Sequence, residues 1–239
     1  MAPVAGKLAF SRGVLEPIQT AMTVDGQVDE LRALMELHGA LPVTLIGYSW
    51  GAWLSFILAA RSRGVVGKLI MVSSGPFEKE YAASIQATRM SRLSAEERAA
   101  LGATIAALGD AATENKSALL ARLGELTARA DSNDPVPEAT AEDDKVDLPG
   151  KGDLFQAVWS EAAEMRRNGA LLALGRRIAC PVVAIHGDFD PHPADGVWKP
   201  LAGVLKDFRF ILLERCGHTP WLERYARHAF YEVLERELR

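Results

Sequence analysis

The chain has 239 residues, 49% of them hydrophobic and 24% charged, with a net charge of −4; that is enough apolar residue for one sizeable core, either one large domain or a domain with an insert. No block of Lys and Arg is available to displace counterions from phosphates, so nucleic acid is excluded as an expected partner. The opening "MAPVAGKLAFSRG" carries a single Lys and no apolar block of signal-peptide length, and a cytoplasmic location is expected.

In chain order, "GVLEPIQ" (13–19) reads as a short extended segment weakened by Pro17. "DGQVDELRALMELHG" (25–39) places Val28, Leu31, Leu34 and Met35 at helical spacing and stops at Gly39. The apolar run from Leu41 to Ala60 has the length of a membrane span, yet it contains Pro42, Gly47, Ser49 and Gly51. Its first half is β-branched and its second half rich in Ala and Leu, which predicts a strand followed by a helix and no membrane partner. "KLIMVSS" is a further strand. Alternating strands and helices imply a parallel sheet with helices on both faces.

From Phe77 to Gly169 the signals are helical only. "SRLSAEERAALGATIAAL" opens with a capping box of Ser94 and Glu97, "ENKSALLARLGELTARA" follows, and "LFQAVWSEAAEMRRNG" comes after an acidic, Pro-rich loop over 131–153. After Cys180 come a strand ("PVVAIHG"), a helical segment ("GVWKPLAGVLKD"), a strand ("FRFILLE") and a terminal amphipathic helix from "PWLERY" onward. The expected organisation is α/β: a mostly parallel, doubly wound core over 1–76 and 170–239, interrupted by a helical cap or lid over 77–169. Cys180 and Cys216 fall at opposite edges of such a sheet, beyond the ~7 Å reach of a disulfide, so no bridge is expected.

Gly47-Tyr48-Ser49-Trp50-Gly51 fits G-x-S-x-G between a predicted strand and a predicted helix, the context that gives this motif its meaning. The tight turn would bring Cβ atoms at 47 and 51 into collision, and glycine at both places would lift the Ser49 hydroxyl clear of the sheet. The hydroxyl would then sit at a helix N-terminus, where unpaired N–H groups favour developing negative charge. A serine nucleophile needs a base and a group to orient that base. His218, in the loop after the last strand, falls on the same sheet edge as Ser49. His38 falls on the opposite edge and His228 within the last helix, while His186 ends its strand and His192 follows in a loop. Asp190, ahead of Pro191, is the candidate acid, with Asp188 nearer the strand. The order Ser49, Asp190, His218 suits this architecture. The alternation His186-x-Asp188-x-Asp190-x-His192 also offers metal-ligand types, but Gly187, Phe189 and Pro191 indicate that the strand has ended, so no metal is expected.

"LIGYSWGA", "PVVAIHGDFDPHP" and "LLERCGHTPW" together resemble the α/β-hydrolases with a helical cap, proline iminopeptidase-like and esterase-like enzymes among them. The resemblance runs from about Gly13 to the C-terminus. It implies Ser49 as nucleophile, Asp190 as triad acid, His218 as base and the Trp50 backbone N–H as an oxyanion donor. It also implies an apolar strand ending in a His-Gly loop ahead of the segment matching "MAPVAGKLAF", which would supply the second donor. No stretch of 1–46 matches that, so an N-terminally truncated sheet is expected, and an upstream-extended form is expected to be more stable and more active.

The reading is therefore a serine hydrolase for an ester, amide or related small-molecule carbonyl, working through an acyl-enzyme without a cofactor. Tyr48, Trp50, Trp159 and Trp221 are candidates for an apolar substrate pocket. A non-catalytic binding protein on the same scaffold and haloperoxidase-like or lyase chemistry are the rivals, since fold does not fix reaction. An exposed sheet edge leaves homodimerisation open.

Overall fold

The computed structural model describes residues 1–110, 113, 116–136 and 151–239. One sheet of four parallel strands has the order β1-β2-β3-β4, comprising β1 (Val43–Tyr48), β2 (Val66–Val72), β3 (Val182–Gly187) and β4 (Phe208–Leu213). Parallel neighbours need crossovers, and helices provide them. α3 (Trp50–Arg61) joins β1 to β2 and α9 (Asp195–Ala202) joins β3 to β4, while α2 (Val24–His38) leads into β1. Thr23 caps α2 by accepting the Gly26 N–H.

The two faces of the sheet feed two cores. Leu69, Met71, Val182 and Ala184 pack with Val28 and Leu31 of α2, Phe56 and Leu58 of α3, and Val197 and Leu201 of α9. Ile70, Val72, Val183 and Ile185 point the other way, against α1 (Ala2–Ala9), through Val4 and Leu8, and against α10 (Arg227–Glu237), through Phe230 and Leu234. This is the two-residue period of a strand covered on both sides. α3 is buried from Ala52 to Ala60, which explains why its sequence is apolar all round. Each large side chain so buried contributes about 1.5–3 kcal/mol relative to exposure.

Between β2 and β3 lie α4 (Lys79–Arg92), α5 (Ala95–Gly109), α6 (Lys116–Asp131), α7 (Lys151–Arg167) and the short α8 (Ala170–Ala173). The capping box is formed: the Ser94 hydroxyl accepts the Glu97 N–H and the Glu97 carboxylate accepts the Ser94 N–H. Leu93, Leu101, Leu126 and Ala130 make a small core of their own beneath α5 and α6. Residues 137–150 of the expected acidic loop lie outside the described residues. No helix among the described residues is long and apolar enough to cross a membrane.

Two local expectations change, and one element not expected is present. Residues 13–19 join no strand, because among the described residues nothing pairs with the outer edge of β1 and Pro17 has no N–H to give a ladder. The stretch ahead of them is the helix α1, with Pro near its start, where a missing N–H costs nothing. The last helix begins at Arg227 rather than near Pro220, because the Arg224 N–H and the Leu222 carbonyl are taken by residues 134 and 136.

Candidate active site

Ser49 forms the turn between β1 and α3 with φ 52° and ψ −117°, a left-handed conformation that costs a non-glycine residue on the order of 1–3 kcal/mol. The Ser49 N–H donates to the Val72 carbonyl at 3.0 Å, pinning the turn to the neighbouring strand. A Cβ at Gly47 would stand 2.3 Å from the Gly51 carbonyl oxygen and 2.7 Å from Ser55 Oγ. A Cβ at Gly51 would meet nothing within 4 Å, so the expected two-sided clash is one-sided. The Gly51 carbonyl folds back over Gly47, and only position 47 is sterically committed. Trp50 and Gly51 open α3, so their N–H groups have no carbonyl one turn earlier to bond.

His218 and Asp190 converge on this serine. His218 Nε2 lies 3.1 Å from Ser49 Oγ, and His218 Nδ1 lies 2.8 Å from Asp190 Oδ2. A carboxylate can only accept, so Nδ1 carries the imidazole proton and Nε2 keeps a lone pair for the serine O–H. Burial pulls the His218 pKa down, but the charge and hydrogen bond of Asp190, with Asp131 beyond, outweigh it and leave His218 raised. Burial pushes Asp190 up; the facing His218 and His186 and the hydrogen bonds from His192 and His218 nevertheless hold it well below the usual carboxylate range. A fixed anion behind an imidazole of raised basicity suits a general base.

The loops that carry these groups are laced together. Gly187 ends β3 where a Cβ would stand 2.1 Å from the Cys216 carbonyl oxygen. Asp188, the other candidate acid, is engaged elsewhere: its carboxylate accepts the Cys216 N–H at 3.0 Å. Tyr48 reaches from β1 to Thr219, with 2.9 Å between their hydroxyl oxygens, and its ring lies 5.1 Å from that of His218. The His218 N–H donates to the Asp131 carbonyl at 2.8 Å, and Asp131 is gripped through both carboxylate oxygens by Arg89 of α4. Glu223, 1% exposed, accepts N–H groups from Asn133, Asp134 and Gly217 at 2.8–3.0 Å. The end of α6 is thereby bound to the His218 loop.

The remaining sequence candidates scatter. Trp50 donates its indole N–H to Gln27. Trp159 of α7 is 38% exposed and stacks on Trp53 at 5.7 Å. Trp221 is buried at 4% in the core beneath α10, edge-on to Tyr48, so it packs rather than lining an open pocket. His38 ends α2 and His228 sits exposed on α10, both away from Ser49. Cys180 and Cys216 are free thiols.

Of the alternating His/Asp run, Asp190 and His192 join His218 in a cluster whose ligand atoms lie within 4.8 Å. His186 instead bonds the His192 carbonyl through Nε2, at 2.8 Å, and Asp188 points to Cys216. Such a trio could ligate a metal, but two Nδ1–H bonds to the Asp190 carboxylate account for its closeness. The roles of His192 and Glu223 went unread in the sequence. A His two residues beyond the acid and a Glu five beyond the base were the only signals.

Residues 10–225 match a family model described as alpha/beta hydrolase fold. No curated protein matches the chain. Among solved structures, VinJ superposes with a TM-score of 0.60 at 21% identity, covering 91% of this chain and 72% of its own. Proline iminopeptidase from Mycobacterium smegmatis gives 0.57 at 22%, covering 91% and 71%. A serine hydrolase involved in carbazole degradation, the CarC enzyme, gives 0.53 at 16%, covering 95% and 73%. At these identities the likeness is one of fold.

Proposed function

The chain belongs to the α/β-hydrolase fold family, and on that premise we propose that it is a serine hydrolase that opens an ester, amide or related carbonyl through an acyl-enzyme. The observation that carries the reading is the relay in which Ser49 Oγ lies 3.1 Å from one imidazole nitrogen of His218 while Asp190 holds the other at 2.8 Å. His218 takes the Ser49 proton as Oγ attacks the carbonyl carbon. The carbonyl oxygen becomes an oxyanion facing the start of α3, where the Trp50 N–H donates to it. Collapse expels an alcohol or amine, which leaves with the proton from His218. Water then gives a proton to His218, attacks the acyl carbon and releases the acid, restoring Ser49. Asp190 stays ionised and keeps the proton of neutral His218 on Nδ1.

The described helices between Phe77 and Gly169, α4 to α7, act as a cap over the C-terminal edge of the sheet and select the substrate, with the Trp53–Trp159 stack as an apolar wall. This rests on α4 and α6 reaching the catalytic loops through Arg89, Asp131 and Glu223. The test is stopped-flow hydrolysis of p-nitrophenyl acetate by the whole chain. The expected trace is a burst of about one p-nitrophenol per chain followed by a slower steady phase, absent in Ser49→Ala. A folded chain with no burst and no steady hydrolysis would favour the non-catalytic scaffold.

A further inference from the structure

We propose that His192 is a positioning residue for the triad, acting through Asp190 to set the basicity of His218. The proposal rests on the serine-hydrolase reading and deepens it. Asp190 has two carboxylate oxygens and both are claimed. Oδ2 accepts from His218 Nδ1 at 2.8 Å, while Oδ1 accepts from His192 twice, from its backbone N–H at 2.9 Å and from its Nδ1 at 2.7 Å. The His192 and His218 rings lie 4.7 Å apart and tilted by 35°, and the His192 side chain is 13% exposed. The His192 carbonyl is tied in turn to His186 Nε2 at 2.8 Å, which fixes the loop that carries it.

Two imidazoles thus share one carboxylate, and charge decides their protonation. Both cannot be cationic at 4.7 Å ring separation without repulsion that one carboxylate must offset. Burial pulls His192 down, and the facing His218 and Arg89 oppose its charging while Asp190 supports it; the net direction is down, whereas His218 goes up. The other ionisable groups facing the cluster are His186 from β3, Asp131 from the end of α6, and Arg92 of α4, whose guanidinium lies 3.7 Å from the Phe189 ring centre. His192 is therefore the neutral partner. Its Nδ1–H withdraws electron density from Asp190 and weakens that carboxylate as an acceptor for His218. Without that bond Asp190 would hold the His218 proton more tightly, and His218 would stay protonated, hence useless as a base, to higher pH.

The experiment uses the rate of Ser49 labelling by a fluorophosphonate as a function of pH, which needs no known substrate and requires neutral His218. His192→Leu fills the space without a donor, and His192→Asn returns an amide N–H to the Nδ1 position. In His192→Leu the acid-side half-point should move up by about one pH unit; in His192→Asn it should stay within a few tenths of that of the unaltered chain. An unmoved half-point in His192→Leu, or equal shifts in both variants, would overturn the proposal. Should the Leu variant fail to fold, imidazole nitrogen NMR of the unaltered protein gives a second reading. His192 protonated on Nδ1 and bare on Nε2 at neutral pH supports the proposal, and the reverse tautomer overturns it. Absence of labelling in the unaltered chain would remove the triad reading and this proposal together, whereas labelling with an unmoved His192→Leu profile removes only the role of His192.

Discussion

Asp190→Asn is expected to lower turnover about 10⁴-fold while leaving the chain folded. The substitution is isosteric, so packing is untouched, but an amide has one oxygen where the carboxylate has two. Asp190 receives three hydrogen bonds, one from His218 and two from His192. The new NH₂ must face one of the two Nδ1–H groups and force that imidazole into its other tautomer. If it faces His218, Nε2 carries the proton and can no longer accept from Ser49. Asp190 also links stability to pH. Its folded pKa is depressed, so its contribution is complete above the unfolded carboxylate value of ~3.9 and is lost as pH falls toward the folded value. Asp190→Asn should therefore show a flatter stability profile in acid. Turnover within about tenfold of the unaltered chain would mean that Asp190 does not orient the base.

Glu223→Ala should be the most costly single change outside the core. It removes an acceptor that satisfies three backbone N–H groups, from Gly217, Asn133 and Asp134, at a site 1% exposed. An unsatisfied buried donor costs about 1–3 kcal/mol. With some rescue by entering water, the sum is about 3–5 kcal/mol, a fall in Tm on the order of 10 °C for a chain of this size. The same bonds join the end of α6 to the His218 loop, so acylation should slow as well. Glu223→Gln keeps one oxygen and should lie between. A melting temperature for Glu223→Ala within about 2 °C of the unaltered chain would show that water replaces the carboxylate at little cost.

The sheet was legible because each of its strands is a short, mostly apolar run with glycine or a charged loop near its end. The turn that carries Ser49 was legible because G-x-S-x-G stands between such a run and an Ala/Leu helix. What the sequence hid is long-range or backbone-borne. Residues 13–19 look extended, but extension makes a strand only when an edge is free to pair with it. Residues 2–9 are a helix because Val4 and Leu8 find the sheet face beside Phe230 and Trp221, a contact more than two hundred residues away in sequence. Trp221 looked like a pocket residue and is core. Glu223 lies within a stretch of helical pattern, yet its neighbours' backbone pairs with residues 134–136 and the helix waits until Arg227. The second imidazole on Asp190 depends on how the loop after β3 coils, which spacing alone does not report. At Gly51 the sequence suggested a steric need that the turn does not have.

The proposed hydrolase activity depends on activation of Ser49 by His218 and Asp190. Its most direct test is peptide mapping by mass spectrometry after exposure of the whole chain to a fluorophosphonate, beside Ser49→Ala and His218→Ala. Stoichiometric phosphonylation at Ser49 that disappears in both variants is the predicted result. An unmodified Ser49 in a chain shown to be folded, or modification that persists in His218→Ala, would contradict it.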